Sequence, residues 1–138
     1  MPTCLFCSIA AGDTPAARVH DDDDTIAFLD HRPLFPGHTL LIPRAHHETL
    51  PDLPPALVLP LFTAAQRIAH AVLTALDADG TFVAINNVVS QSVPHLHLHI
   101  VPRRRKDGLR GFFWPRTRYA SPDEMEAAAA RIRAALEP

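Results

Sequence analysis

This sequence has no long apolar run, little net charge and only two cysteines. Each of these features excludes a class of protein. No apolar stretch approaches the length that crosses a bilayer, and the segment from Cys4 to Ala11 lacks the basic start of a signal peptide. The formal net charge of −2 gives no general case for nucleic-acid binding. Two cysteines allow a single Cys-x-x-Cys pair. We therefore expect a cytoplasmic protein with no membrane segment.

The chain has the length and composition of one globular domain. Its 138 residues can bury a single core. The hydrophobic fraction of 47% and the charged fraction of 20% are ordinary for a globular protein, and no internal repeat or linker interrupts the chain. We predict one domain over residues 1–138.

Three histidines alternate with aliphatic residues in one short segment. Read from His95 to Ile100, the order His-Leu-His-Leu-His-Ile has a period of two, which predicts a β-strand rather than a helix. On one strand, His95, His97 and His99 share a face, and the aliphatic residues between them point the other way into a core. We therefore expect a row of imidazoles on a surface that a ligand can approach.

An imidazole row can serve several kinds of chemistry. A neutral imidazole can bind a metal, act as a general acid or base, or attack phosphorus. A metal site is the main alternative, because His-x-His on a strand presents two ligands to Zn²⁺ or Fe²⁺. A purely structural role is disfavoured, because an unpartnered polar row on a buried face costs stability.

The residues before the row favour phosphate over a hard cation. No Asp or Glu lies between Gly80 and Lys106, whereas the segment 86–92 contains Asn, Ser and Gln. These neutral side chains, with the backbone N–H groups of a tight loop, can bind phosphate oxygens. A hard-cation site would need carboxylates. The pattern predicts an anion site beside the histidines.

The rest of the chain predicts strands and helices in one α+β domain. Thr25 to Asp30 and Thr39 to Pro43 read as strands of an antiparallel hairpin. Apolar residues at helical spacing predict a helix over 57–76. An N-cap pattern, Ser-Pro-Asp-Glu, predicts a C-terminal helix over about 122–136.

Three blocks of this sequence together resemble the histidine-triad (HIT) superfamily, whose signature is three histidines that alternate with apolar residues. Residues 91–103 fit that signature, residues 28–46 resemble the family's upstream block, and residues 6–9 resemble its N-terminal element. The blocks occur in the family's order over about residues 4–103. The resemblance implies an α+β fold, with an antiparallel sheet of about five strands and packed helices, and a homodimer.

The resemblance also implies an enzyme that hydrolyses or transfers nucleotides at the α-phosphate. By the family's pattern, His97 attacks the α-phosphorus and forms a nucleotidyl-histidine intermediate. His99 assists the leaving group, and His38 borders the site. The implied substrate is a purine nucleotide conjugate, such as a dinucleoside polyphosphate or an AMP phosphoramidate. The alternative from another class is a catalytically weak nucleotide- or zinc-binding regulatory protein.

Nucleotide contacts follow from the same resemblance. Asp30 is implied as the ligand of the ribose hydroxyls. The other implied contacts are Gln91, Ser92 and either Asn86 or Asn87 for phosphate oxygens, and Phe6, Ile9 and His31 for the base. Many family members have a longer Gly-rich loop before the glutamine, and the shorter loop here leaves the choice between the two asparagines open.

Cys4 and Cys7 form the one Cys-x-x-Cys pair. From the residues alone, such a pair is a redox site, half of a metal site, or incidental, and the thioredoxin-like context of a redox site is absent. The resemblance implies a structural zinc site that His46 and His95 complete, because Cys₂His₂ is a closed tetrahedral set. His47 is the alternative to His46.

A basic run, Arg103 to Lys106, follows the histidine segment. One interpretation is a solvated loop. The other is that these residues, with Arg110 and Arg116, contact the distal phosphates of a polyphosphate leaving group. The aromatic residues 112–114 are predicted to enter a core.

Overall fold

The computed structural model describes residues 4–110 and 116–137. It divides the chain into two compact units, one ending at Asp107 and the other beginning at Gly108. The aromatic residues 112–114, predicted to enter a core, lie outside the described residues. The prediction of one domain over residues 1–138 stays a prediction.

A five-stranded antiparallel sheet forms the first unit. Its strands are β1 (Arg18–Asp21), β2 (Thr25–Leu29), β3 (Thr39–Pro43), β4 (Gly80–Ile85) and β5 (Leu98–Arg103). They lie in the order β1-β2-β3-β5-β4, and each neighbouring pair is antiparallel. The predicted α+β class, the five strands and the β2–β3 hairpin are confirmed.

Helix α2 (Pro55–Leu76) covers one face of this sheet. Its buried residues recur at helical spacing: Leu61, Ala64, Ala65, Ile68 and Val72. They pack in one cluster with Leu96, Leu98 and Ile100, which are all fully buried. The aliphatic half of the histidine alternation therefore enters the core as predicted.

Helix α1 (Leu5–Ala11) lies on the opposite face of the sheet. Its buried Phe6 and Ile9 pack with alternate residues of β2 and β3, namely Ile26, Phe28, Leu40 and Ile42. Leu40 pairs with His99 across the β3–β5 ladder. The second core cluster therefore lies on the histidine face.

Helix α2 corrects the expectation that no apolar stretch has the length to cross a membrane. Its 22 residues are long and apolar enough to cross a membrane by length and composition, although we expected no such stretch. A helix that packs in a core passes the same test, and the stripe of α2 described above packs against the sheet.

Gly37 allows a close approach between two parts of this unit. Its φ is +99°, and a Cβ at this position would lie 2.1 Å from Leu76 Cδ1 at the end of α2. Glycine is therefore required both by the backbone conformation and by the contact. The next residue is His38, so this contact fixes the turn that carries it.

The second unit contains helix α3 (Pro122–Leu136). Ser121 Oγ accepts a hydrogen bond from Glu124 N at 3.2 Å, Pro122 takes the first helical position, and Asp123 and Glu124 lie in the first turn. The helix begins and ends where the capping pattern predicts.

Candidate active site

The histidine segment enters the sheet later than its alternation predicts. Strand β5 begins at Leu98, so His99 alone among the three histidines lies in a strand. Upstream, Leu96 N donates to the His47 carbonyl at 2.7 Å, and His95 Nε2 donates to the Pro43 carbonyl at 2.8 Å. These bonds join the segment to residues 43–47 instead of extending the ladder with β3. The prediction that all three histidines share one strand is therefore wrong.

The imidazole row is also less open than expected. His95 is fully buried and His97 is only 4% exposed, while His99 is half-buried. Phe6 of α1 packs edge-on against the first two rings, with centroid distances of 5.9 Å to His95 and 5.1 Å to His97. The expected open row is wrong for His95 and His97, because α1 covers them.

His97 presents one unprotonated ring nitrogen. Its Nδ1 lies 2.7 Å from the His95 carbonyl oxygen. A carbonyl can only accept, so Nδ1 carries the proton, and Nε2 of the neutral ring keeps its lone pair. The ring lines a cavity described below. This is the protonation state that a nucleophilic imidazole needs.

His38 and His99 form a directed hydrogen-bonded pair. The Leu34 N–H donates to His38 Nδ1 at 3.1 Å, so the proton of neutral His38 lies on Nε2, which is 2.9 Å from His99 Nδ1. His99 Nδ1 therefore accepts, and His99 carries its own proton on Nε2. Burial lowers the pKa of His99 to about 4, and neighbouring His97 and His38 add to this shift. Burial also lowers the pKa of His38. Both rings are thus neutral at pH 7, and Nε2–H of His99 remains available to donate.

A cavity of about 550 Å³ lies beside these rings on the α1 side of the sheet. Seven of the predicted site residues line it: Phe6, Ile9, Asp30, His31, Ser92, His97 and His99. Other wall residues were not predicted from the sequence, including Phe28, Leu40 and the segment 14–17. The alternation in β2 and β3 could have identified Phe28 and Leu40, which share the face of His99. No sequence signal pointed to residues 14–17.

Asp30 lies at the edge of the cavity, at the end of β2. Its Oδ1 accepts from Arg32 N at 2.9 Å, and its Oδ2 lies 3.9 Å from His38 Nε2. The His31 side chain is 86% exposed, with Nδ1 4.0 Å from Asp30 Oδ1. Asp30 is therefore held in place, while His31 forms an open part of the wall.

The loop between β4 and β5 is fixed by two of the amides expected near phosphate. Gln91 Oε1 accepts from Val88 N at 2.8 Å, and Gln91 Nε2 donates to the Glu48 carbonyl at 2.6 Å. Asn87 Oδ1 accepts from Leu50 N at 2.8 Å. The lining of the cavity includes Ser92 but not Gln91 or either asparagine. The phosphate contacts of Gln91 and of either Asn86 or Asn87 stay predictions; here Gln91 and Asn87 position the loop.

Val88 in this loop has a backbone conformation that favours glycine, with φ of 70°. A β-branched residue is strained there. We expect Val88→Gly to raise the free energy of unfolding by about 0.5–1 kcal/mol, because the relief of strain outweighs the added freedom of the unfolded chain. Val89 is similarly exposed, and its φ is not positive. Val89→Gly should therefore lower stability by about as much. Urea unfolding of both variants measures the difference, and equal losses would contradict the strain.

Cys4, Cys7, His46 and His95 form a compact cluster, with one ligand atom from each residue within 4.8 Å of the others. Cys4 Sγ lies 3.4 Å from His95 Nδ1, and Cys7 Sγ lies 3.3 Å from His46 Nδ1 and 3.5 Å from His95 Nδ1. The cluster includes His46 and not the alternative His47, whose carbonyl holds Leu96 instead.

The donor set of this cysteine–histidine cluster fits zinc. In a tetrahedral site with Zn–S of about 2.3 Å and Zn–N of about 2.0 Å, sulfur and nitrogen ligands lie about 3.5 Å apart, close to the three distances above. His95 Nε2 donates to Pro43, which leaves Nδ1 unprotonated toward the thiols. Burial, which lowers the pKa of His95 to about 4, favours the neutral ligand form. Burial also raises the pKa of the Cys7 thiol, and Cys4 adds to that shift, so metal binding would release protons.

A second group, Asp30, His38 and His99, also has one ligand atom from each residue within 4.8 Å of the others. This group does not fit a metal. A metal between the two rings would need lone pairs on His38 Nε2 and His99 Nδ1. The Leu34 N–H already occupies His38 Nδ1, which keeps the His38 proton on Nε2. The hydrogen bond between the rings is therefore the better description of this group.

In the basic run, which begins at the last residue of β5, the first two arginine side chains form hydrogen bonds within the protein. Arg103 pairs with Asp107 through two hydrogen bonds of 2.6 and 3.0 Å. Arg104 donates to the carbonyls of Leu76 and Asp77 at the C-terminus of α2. Neither arginine lines the cavity beside the histidines. These contacts give Arg104 a role in capping α2, which neither interpretation of the run included.

We expect Arg104→Ala to lower the free energy of unfolding by about 1 kcal/mol, because the last carbonyls of α2 lose a charged donor. The exposed neighbour Arg105 provides the control, because its hydrogen bond to Asp79 comes from the backbone and survives substitution. Arg105→Ala should change stability by less than about 0.5 kcal/mol. Chemical denaturation of both variants measures the difference. A preference for diadenosine tetraphosphate over an AMP phosphoramidate that Arg104→Ala abolishes would instead support phosphate contact.

Comparison with known sequences finds a matching family model and several similar proteins. The sequence model of the HIT domain family matches residues 11–106. An uncharacterized HIT-like protein of Mycobacterium tuberculosis is 43% identical over 108 residues, which are 77% of this chain and 75% of that protein. The adenylylsulfatase HINT3 of Arabidopsis thaliana is 35% identical over 108 residues, 77% of this chain and 55% of that protein. The adenosine 5′-monophosphoramidase hnt1 of Schizosaccharomyces pombe is 33% identical over 141 residues, 98% of this chain and 99% of that protein.

Two solved structures share this architecture. A HIT family protein from Bacillus subtilis is 34% identical, with a TM-score of 0.89 and 98% of each chain covered. A zinc-bound histidine triad family protein from Mycobacterium smegmatis is 42% identical, with a TM-score of 0.74, covering 96% of this chain and 97% of that one. The order of strands and helices is thus one that other proteins of similar sequence adopt.

Proposed function

Because this chain belongs to the HIT family, we propose that it is a nucleotide hydrolase or transferase that cleaves a purine nucleotide conjugate at the α-phosphorus. The observation that carries the proposal is the protonation pattern of His97, whose Nδ1 donates to the His95 carbonyl and whose Nε2 keeps a lone pair. Two relatives are named as an adenylylsulfatase and an adenosine 5′-monophosphoramidase. Those names support an adenylyl conjugate as the substrate.

In the first step, His97 Nε2 attacks the α-phosphorus. A P–N bond forms as the bond from phosphorus to the leaving group breaks, and the leaving group departs with that electron pair. Nδ1–H donates to the His95 carbonyl and stabilises the positive charge that the ring gains. His99 Nε2–H donates a hydrogen bond to the phosphoryl group or the leaving atom. An amine leaving group takes its proton from solvent.

In the second step, water attacks the nucleotidyl-histidine intermediate. Its oxygen bonds to phosphorus, the P–N bond breaks, and the electron pair returns to His97 Nε2, while a proton of the water leaves to solvent. The net reaction consumes one water and yields a nucleoside monophosphate and the free leaving group; an amine takes up the proton that the water gives to solvent, whereas with sulfate that proton remains in solution. If another nucleophile replaces water, the same intermediate supports transfer.

The cavity supplies contacts for the rest of the nucleotide. The wall formed by Phe6, Ile9 and Phe28 is apolar, so it suits the face of a base with little selectivity. The Asp30 carboxylate can accept from ribose hydroxyls, and Ser92 lies next to the histidine segment, where its hydroxyl can donate to phosphate.

A substrate panel with a rapid denaturing quench at alkaline pH tests this function, because the P–N bond of a nucleotidyl-histidine is hydrolysed in acid. The panel is an AMP phosphoramidate, adenylyl sulfate and diadenosine tetraphosphate. We expect turnover of at least one conjugate, and a nucleotidyl group on His97 after the quench. Tight binding of AMP with no turnover of any conjugate would contradict the proposal and favour the regulatory alternative.

We also propose a structural zinc ion held by Cys4, Cys7, His46 and His95. The support is the match of the cluster to tetrahedral distances, together with the zinc-bound relative from Mycobacterium smegmatis. A closed four-ligand site supplies folding energy and leaves no position for substrate. We further propose a cytoplasmic location, because thiol ligands persist in a reducing compartment.

We also propose a homodimer whose interface is formed by β4 and α2. Strand β4 is at the edge of the sheet, and its Val83 is 45% exposed. Leu59 and Phe62 of α2 are 75% and 39% exposed and border the same apolar depression as Val83. An unpaired sheet edge beside an exposed apolar patch is typical of an association surface.

We expect Leu59→Glu to convert the dimer into a monomer, because a charge would be buried in the interface without a partner. Light scattering after size-exclusion chromatography should show about half the wild-type mass. Val19→Glu is the control, since Val19 is 53% exposed but lies in β1, at the opposite edge of the sheet from β4. A wild-type protein that is monomeric at micromolar concentration would contradict the proposed dimer.

A further inference from the structure

One residue belongs to both the cysteine–histidine cluster and the nucleophile's hydrogen bond. The His95 ring places Nδ1 3.4 Å from Cys4 Sγ and 3.5 Å from Cys7 Sγ. The main-chain carbonyl of the same residue accepts from His97 Nδ1 at 2.7 Å. A change in the position of His95 within the cluster must therefore also move the acceptor that orients His97.

Helix α1 provides a second connection between the two sites. Cys4 and Cys7 flank Phe6, whose ring packs edge-on against His97 at 5.1 Å. The C-terminal part of α1 is held separately, because Arg18 donates to the Ile9 carbonyl at 2.6 Å and Arg44 donates to the Ala10 carbonyl at 3.0 Å. The two cysteines thus lie at the end of α1 that covers the nucleophile.

We propose that His95 is a positioning residue through which metal occupancy of the cysteine–histidine cluster sets the orientation and tautomer of His97. This inference rests on the proposed function, because the residue that the cluster would orient, His97, is the nucleophile of that function. The His97 ring gains positive charge as Nε2 bonds to phosphorus, and the bond from Nδ1–H to the His95 carbonyl strengthens with that charge. A displaced carbonyl should therefore affect kcat more than KM.

The experiment compares three forms of the protein: zinc-loaded, chelated and reloaded. Imidazole ¹⁵N NMR at a fixed pH reports whether Nδ1 or Nε2 of His97 carries the proton, and the His97 signals are assigned by their loss in His97→Gln. Steady-state kinetics with an AMP phosphoramidate give kcat and KM. We expect chelation to give His97 mixed tautomers and to lower kcat by about 10- to 100-fold, as outer contacts of this kind do. Reloading with zinc should restore both.

A control variant and a second metal distinguish the positioning role from a loosening of α1 and from unfolding of the chelated protein. Arg18→Ala removes one of the two arginine contacts that hold the C-terminal part of α1 and leaves the cluster intact, so the His97 signals and kcat should stay as in the wild type. If the chelated protein unfolds, protein loaded with the larger Cd²⁺ ion replaces it, because this ion keeps the four ligands together at longer bonds. The His97 signals and kcat should then differ between the zinc and cadmium forms.

The outcomes separate this inference from the proposed function. Unchanged His97 signals and kcat in every folded form would overturn the positioning role and leave the cluster purely structural. His97 signals that follow metal occupancy in a protein that turns over no conjugate would support the positioning role and overturn the proposed function. A loss of activity equal to that in Arg18→Ala would also overturn the inference, because it would show only a general loosening of α1.

Discussion

Replacing His97 with alanine is expected to lower turnover by about 10⁴-fold or more, since neighbouring groups cannot supply a covalent step. The hydrogen bonds of the His38–His99 pair and of the β4–β5 loop do not involve the His97 side chain, and the other residues that line the cavity stay in place. Binding of AMP should therefore persist in the variant while turnover is lost. Steady-state assays and a binding titration measure the two effects separately.

The control for this substitution is another histidine of the same chain. His70 lies on the exposed side of α2, outside the cavity. His70→Ala should leave turnover unchanged. Near-normal turnover in His97→Ala, or a nucleotidyl group that still forms on the protein without His97, would assign the nucleophile elsewhere.

Removal of zinc is expected to produce the largest change in stability. Protein purified without added metal should contain one zinc per chain by elemental analysis. Structural zinc sites contribute on the order of 10 kcal/mol of apparent binding energy to folding. We therefore expect a chelator to lower Tm by about 10 °C or more.

A variant without the thiols provides the matched control for chelation. Cys4→Ser, Cys7→Ser should melt at the lower temperature from the start, and the chelator should not change its Tm. Both thiols should react with a thiol reagent only after chelation of the wild type. A protein that contains no zinc and has two freely reactive thiols would be incompatible with the proposed site.

The histidine alternation shows how far a local pattern predicts this site. The period of two correctly placed the aliphatic residues in the core, because burial depends on which face of the chain a side chain occupies. The pattern did not predict that His95 and His97 lie outside the ladder. Their backbone environment is set by Pro43 and His47, about fifty positions earlier in the chain, and no local signal reports such a contact.

The loop before the histidines shows what amino-acid composition alone cannot predict about this site. Its amides and hydroxyls indicated an anion site, and Ser92 does line the cavity. Composition could not predict that Gln91 and Asn87 bond to the backbone of residues 48–50, because an amide suits a carbonyl or N–H as well as a phosphate oxygen. Val88 and Ser90 adopt left-handed conformations that the sequence itself disfavours. The loop therefore has a glycine-like backbone without glycine.

The position of β5 affects how a growing chain can fold. It is the last of the five strands of this sheet to be synthesised, yet it lies between β3 and β4, which are made before it. Until Leu98 and the residues after it emerge from the ribosome, β3, whose five residues are all buried in the finished protein, has an open edge. Open apolar edges pair readily with other chains. A nascent or truncated chain that ends before β5 is thus the form most exposed to aggregation, and it contains neither the hydrogen-bonded histidine pair nor a complete cysteine–histidine cluster.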